Sequence, residues 1–78
     1  MTPQETKEVE AIQRGYAGDV YETKGEAMCV AHRVAKVGGY CFVVEGRYGW
    51  HCSMHKPMLR KQHQQVIECR QDGQELLA

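Results

Sequence analysis

The chain has 78 residues, 42% of them hydrophobic and 26% charged, and its formal net charge is zero. That length allows one domain, residues 1–78, with a thin core, and the composition is not that of a disordered chain. No stretch approaches the ~20 apolar residues of a membrane span, and the small interior leaves little room for a deep substrate cavity, so an enzyme is not expected.

The first segment, TPQETKEVEAIQRG, carries helix signals. Thr2 can cap, Pro3 suits the first helical position, and Glu5 completes a Thr-x-x-Glu capping box. Gly15 is a natural stop, and the apolar stripe reduces to Val9 and Ile12. Residues 16–22, YAGDVYE, have the aromatic and β-branched content of a short strand. Thr23-x-x-Glu26 is a second capping box, and Gly38-Gly39 ends the segment it opens. Between them Ala27, Val30, Ala31 and Val34 recur at helical spacing, which predicts an amphipathic helix over 24–37. Its other face carries Cys29, His32, Arg33 and Lys36.

Residues 40–55, YCFVVEGRYGWHCSMH, read as a β-hairpin. A three-residue loop Arg47-Tyr48-Gly49, with Gly49 in the left-handed region, pairs Val44 with Cys52 and Phe42 with Met54. Tyr40, Phe42, Val44, Trp50, Cys52 and Met54 then form the core face, leaving Cys41, Val43, Glu45, His51, Ser53 and His55 outside. The last segment has two readings. A helix from Pro57 to about residue 64 or beyond would turn Leu59, Val66 and Ile67 inward; a second hairpin would turn at Asp72-Gly73. The predicted fold class is α+β: a small antiparallel sheet (hairpin 40–55 plus a short strand near 16–22) packed against the helix 24–37, with further helix at the N-terminus and after Pro57.

Charge is segregated along the chain. Residues 1–27 carry a net of −3, residues 28–63 a net of +5, and residues 64–78 a net of −2. All four histidines lie in the basic middle block. Such a block can present a positive face to an anionic partner, and solvated surface charge would give the same count. The polar, acidic start MTPQETKEVE has no secretory character, so a cytoplasmic location is expected, with Cys29, Cys41, Cys52 and Cys69 as free thiols.

Cys29-x-x-His32 and Cys52-x-x-His55 share the spacing of paired zinc ligands. The predicted elements oppose that site. Residues 29 and 32 lie on the helix face turned from the sheet, and residues 52 and 55 point to opposite sides of a strand. Cys41, His51 and His55 on the outer hairpin face are a better-placed metal set, but an exposed face with weak cross-strand polar contacts accounts for them more simply. No metal or other cofactor is therefore expected. Cys29 and His32 are close enough for a thiolate–imidazolium pair, yet no third group orients the imidazole. VGGY joins a helix to a strand and is no phosphate-binding loop.

The unusual residues are on surfaces. His32, Arg33, Lys36, Arg47, Tyr48, His51, His55, Lys56, Arg60 and Lys61 are the expected partner-binding residues, because Arg and Tyr are enriched where binding energy concentrates. The expected function is a non-enzymatic protein-binding module. A chain of this size with a short strand, a capped helix (TKGEAMCVAHRVAKVGG) and a hairpin (YCFVVEGRYGWHCSMH) resembles small phage-encoded inhibitors of host machinery, including some type I anti-CRISPR proteins. The resemblance is one of size and element order over residues 16–55. It implies stoichiometric blocking of a host protein–nucleic acid complex in the host cytoplasm. The alternatives are an RNA- or DNA-binding module using the basic block 33–61, and a small zinc protein. A thin core also suits a homodimer.

Overall fold

The structure is a computed structural model and describes residues 1–15, 20–56 and 64–77. Helix α1 spans Pro3–Gln13, and the Thr2 hydroxyl accepts the Glu5 N–H at 3.2 Å, as the capping box predicts. Helix α2 spans Lys24–Gly38. Thr23 caps it by accepting the Glu26 N–H at 3.2 Å, and Gly39 at φ 93° ends it by donating to the Ala35 carbonyl at 2.7 Å. A left-handed end of this kind is open to glycine at no steric cost. Four strands follow: β1 (Tyr40–Glu45), β2 (Trp50–Ser53), β3 (Val66–Arg70) and β4 (Glu75–Leu77). All neighbouring strands are antiparallel, in the order β2-β1-β3-β4.

Both helices lie on one face of this sheet, so the α+β fold is as predicted. The core joins Val9 and Ile12 of α1 and Ala27, Val30, Ala31, Val34 and Ala35 of α2 to Cys41, Val43, Cys52, Ile67 and Cys69 of the sheet. Of the expected strand near 16–22, residues 16–19 lie outside the described residues, and Tyr21 makes a single bridge to Trp50. The helix expected from Pro57 to about residue 64 or beyond falls on residues 57–63, also outside them, and does not continue: Gln64 and Gln65 are not helical and Val66 opens β3. The last segment is a hairpin: Gly73, at φ 92°, closes a turn by donating to the Arg70 carbonyl at 2.9 Å.

The register of the first hairpin differs from the sequence reading by one residue. Phe42 pairs with Ser53, Val43 with Cys52 and Val44 with His51. The loop runs over Gly46–Gly49, and the Gly46 N–H donates to the Gly49 carbonyl at 2.7 Å. Gly49 is not in the left-handed region; a Cβ there would press on Val20 Cγ1 and lie 2.5 Å from the Tyr21 carbonyl oxygen. Glycine is required for close approach, not for handedness. The three-residue loop with a left-handed third glycine occurs instead in the second hairpin, at Gln71-Asp72-Gly73.

One extra loop residue turns β1 over. Cys41 and Val43 face the helices and are fully buried, whereas Tyr40, Phe42 and Val44 are on the far face. There Phe42, Val44 and Val66 form a second, smaller cluster. Tyr40, expected in the core, is exposed and meets Phe42 edge-to-face at 5.7 Å. The β2 half of the expected core face, Trp50, Cys52 and Met54, does pack against the main core.

Two substitutions measure these constraints. Gly49→Ala should cost about 2 kcal/mol, because the Tyr21 backbone must give way, and thermal unfolding should show a fall of roughly 10 °C. Thr23→Ala should cost about 1 kcal/mol through loss of the α2 cap.

Candidate interaction surface

The expected binding residues divide between the two ends of the sheet. Helix α2 runs antiparallel to β1, so its N-terminus lies over the β1–β2 loop and its C-terminus over the start of β1. At the loop end, Arg47 and Tyr48 occupy the tip, with the guanidinium 5.3 Å from the Tyr48 ring centroid. Tyr48 is 84% exposed, the most exposed of the large hydrophobic side chains described. Beneath it, Trp50 is half-buried, and the Lys24 ammonium lies 5.9 Å from its ring. Val20, which is exposed, packs at Gly49. Tyr21 exchanges two 2.8 Å backbone hydrogen bonds with Trp50, so the 20–21 segment grips the base of the loop.

Lys36, His55 and Lys56 are exposed at the opposite end. Ser53 Oγ accepts the His55 N–H at 3.1 Å and donates to the His55 carbonyl at 3.0 Å, fixing the turn after β2. With β1 six residues long, the two ends are ~17 Å apart at ~3.3 Å per residue.

Two of the expected residues are engaged within the chain. His32 Nε2 lies 2.8 Å from Glu75 Oε1 of β4, and Arg33 reaches Glu5 and Glu8 of α1, each at 3.4 Å. These contacts tie α2 to β4 and to α1. His51 stands on the far face of the sheet, paired with Val44 and beside Gly46. Arg60 and Lys61 lie outside the described residues. Val20 and Lys24 at the loop end were not singled out from sequence. Trp50 was assigned to the core face, where it does pack, and it also meets the Lys24 ammonium.

The proposed metal sets do not assemble. Cys41 is on the helix side of β1 while His51 is on the far side, a consequence of the shifted register. Cys52 is buried with its thiol donating to the Ala27 carbonyl at 3.2 Å, whereas Cys29 is exposed. Among the described residues no group of three or more His, Cys, Asp or Glu side chains is placed to hold a metal ion.

Cys41, Cys52 and Cys69, from three adjacent strands, share the buried face under α2. Contact with the Cys52 thiol holds Cys41 below the ordinary thiol range, against the opposing effect of burial. The same contact, with burial, pushes Cys52 up. Burial pushes Cys69 up to about 11, and the Glu75 carboxylate adds to the shift.

No protein-family model, curated protein or solved structure compared with the chain matches it.

Burial sets two expectations. A thiol reagent should label Cys29 rapidly in the native protein and the other three cysteines only on unfolding, as mass spectrometry of the labelled peptides will show. In the native state Cys69 has its pKa raised from 9.0 to about 11, so the unfolded chain loses this proton first. Its contribution is complete below pH 9 and disappears as pH rises through 11, on the order of 2 kcal/mol in all. Urea unfolding between pH 9 and 11 should therefore show a shallower fall in Cys69→Ala than in the parent chain.

Proposed function

We propose that this chain is a non-enzymatic protein-binding module that acts by stoichiometric occupation of a partner surface. The observation that carries this reading is the loop tip: a Tyr held 84% exposed, stacked with Arg47, on a hairpin whose base is gripped by Val20 and Tyr21. An exposed aromatic ring beside a guanidinium combines two of the side-chain types in which binding energy concentrates, which favours its use as an anchor. Trp50 and Lys24 extend the same surface. The resemblance to small phage inhibitors makes the partner class a host protein–nucleic acid complex, such as a type I CRISPR surveillance complex, in the host cytoplasm.

The basic block gives less support to the nucleic-acid alternative, because Arg33 is paired with Glu5 and Glu8 and the remaining described cations are split between the sheet ends. The test is binding of the purified chain to purified type I surveillance complexes, with and without nuclease, alongside their capture of target DNA. Nuclease-resistant binding that saturates at a fixed ratio and blocks DNA capture is expected. Tyr48→Ala with Arg47→Ala should weaken it at least a hundredfold while leaving the thermal midpoint within a few degrees. Binding that vanishes with nuclease, or that both substitutions leave unchanged, would overturn the reading.

A further inference from the structure

The two edges of the sheet are treated differently. On β2, Tyr21 takes both the N–H and the carbonyl of Trp50. On β4, the Arg70 N–H donates to the Gln74 carbonyl at 2.9 Å, which makes 70–74 a hydrogen-bonded pair. Antiparallel ladders alternate, so Glu68–Leu76 is the next hydrogen-bonded pair, while Glu75 and Leu77 turn their N–H and C=O groups away from β3. No described residue takes those groups. The strand is exposed throughout, with Leu76 at 40% and Leu77 at 77%, and it contains no Pro, Lys or bulge of the kind that guards an edge.

We propose that β4 is a self-association edge, pairing antiparallel with β4 of a second copy about a two-fold axis at Leu76. Glu75 of each chain then exchanges two N–H···O=C bonds with Leu77 of the other. Leu76 faces its own copy at a non-hydrogen-bonded position, where side chains approach most closely. Three features favour a second copy as the occupant. So short a strand offers few backbone bonds, so apolar burial must add to them, and a copy brings Leu76 against Leu76 on the axis, while each Leu77 lies opposite Glu75 of the other chain. The one charge on the strand, Glu75, lies off the axis and is already held by His32 at 2.8 Å. The pairing is isologous and closes at two chains, joining two four-stranded sheets into one.

The interface is small, so the dimer is weak. Sedimentation equilibrium of the full chain, loaded from ~10 μM to ~1 mM with thiols kept reduced, should show the mass rising from 8.9 kDa towards twice that value. Leu77→Pro removes an outward N–H that the ladder to β3 does not use, and should weaken association at least tenfold with the circular dichroism unchanged. Leu76→Lys sets two like charges face to face on the axis and should do the same; it decides the matter if Leu77→Pro fails to fold. A chain that stays monomeric to 1 mM, leaving the edge to a foreign strand, overturns the proposal. So does a dimer that a folded Leu77→Pro or Leu76→Lys variant leaves intact.

Discussion

Everything in this molecule depends on how closely α2 can lie on the sheet. Ala27, Ala31 and Ala35 recur every four residues along the helix, and none has any exposed surface. A ridge of methyl groups brings the helix backbone near the strands, and the facing surface is correspondingly small: Cys41, Val43, Cys52, Ile67 and Cys69. The thiols here are space-filling groups of about the right size, each with a soft contact. Cys52 donates to the Ala27 carbonyl and Cys69 lies 3.9 Å from the Met28 sulfur. Larger side chains on either side would lift the helix and with it α1, which reaches the sheet chiefly through Val9 and Ile12.

The same closeness fixes the surroundings of the loop tip. With α2 seated low, Lys24 stands over Trp50 and the segment before the helix is brought alongside β2. The approach is tight enough at Gly49 that only a residue without a Cβ fits. The tip residues Arg47 and Tyr48 are thus carried on a base with two independent attachments, one through the strand pair and one through Tyr21. The position of the tip is thus set by the fold rather than by the loop alone.

Signals that act within a few residues were legible in the sequence. Both threonine caps form, the glycine pair after Val37 ends α2, and the alanine–valine stripe is the buried face. The register of the first hairpin was not legible, because it turns on one loop residue. In GRYG either glycine can close the loop, and β1 is apolar on both faces, so Phe42 and Val44 look as suitable for the core as Cys41 and Val43. A left-handed Gly49 set the expected register, and hydrophobicity then favoured the face with Phe42 and Val44, although thiols also count as small apolar groups once buried. The discounted candidate set Cys41, His51 and His55 is split by the same shift, with Cys41 and His51 on opposite faces. The expected partner-binding residues were named from sequence by type alone, and their arrangement was not legible. Nothing local reveals that His32 and Arg33 meet Glu75, Glu5 and Glu8 from distant parts of the chain.

The strand order has a kinetic corollary. β1 with β2 and β3 with β4 are neighbours in sequence, and such hairpins close in ~1–10 μs. The central seam is different: Cys41 meets Cys69 and Val44 meets Val66 across more than twenty residues of chain. Closing that seam carries the loop entropy of the fold, so it sets the folding rate. Until it closes, β1 has one unpaired side and Cys69, on β3, is not yet under α2. The slowest step of folding and the burial of Cys69 are therefore one event, whereas Cys41 can be covered earlier by the helix that directly precedes its strand.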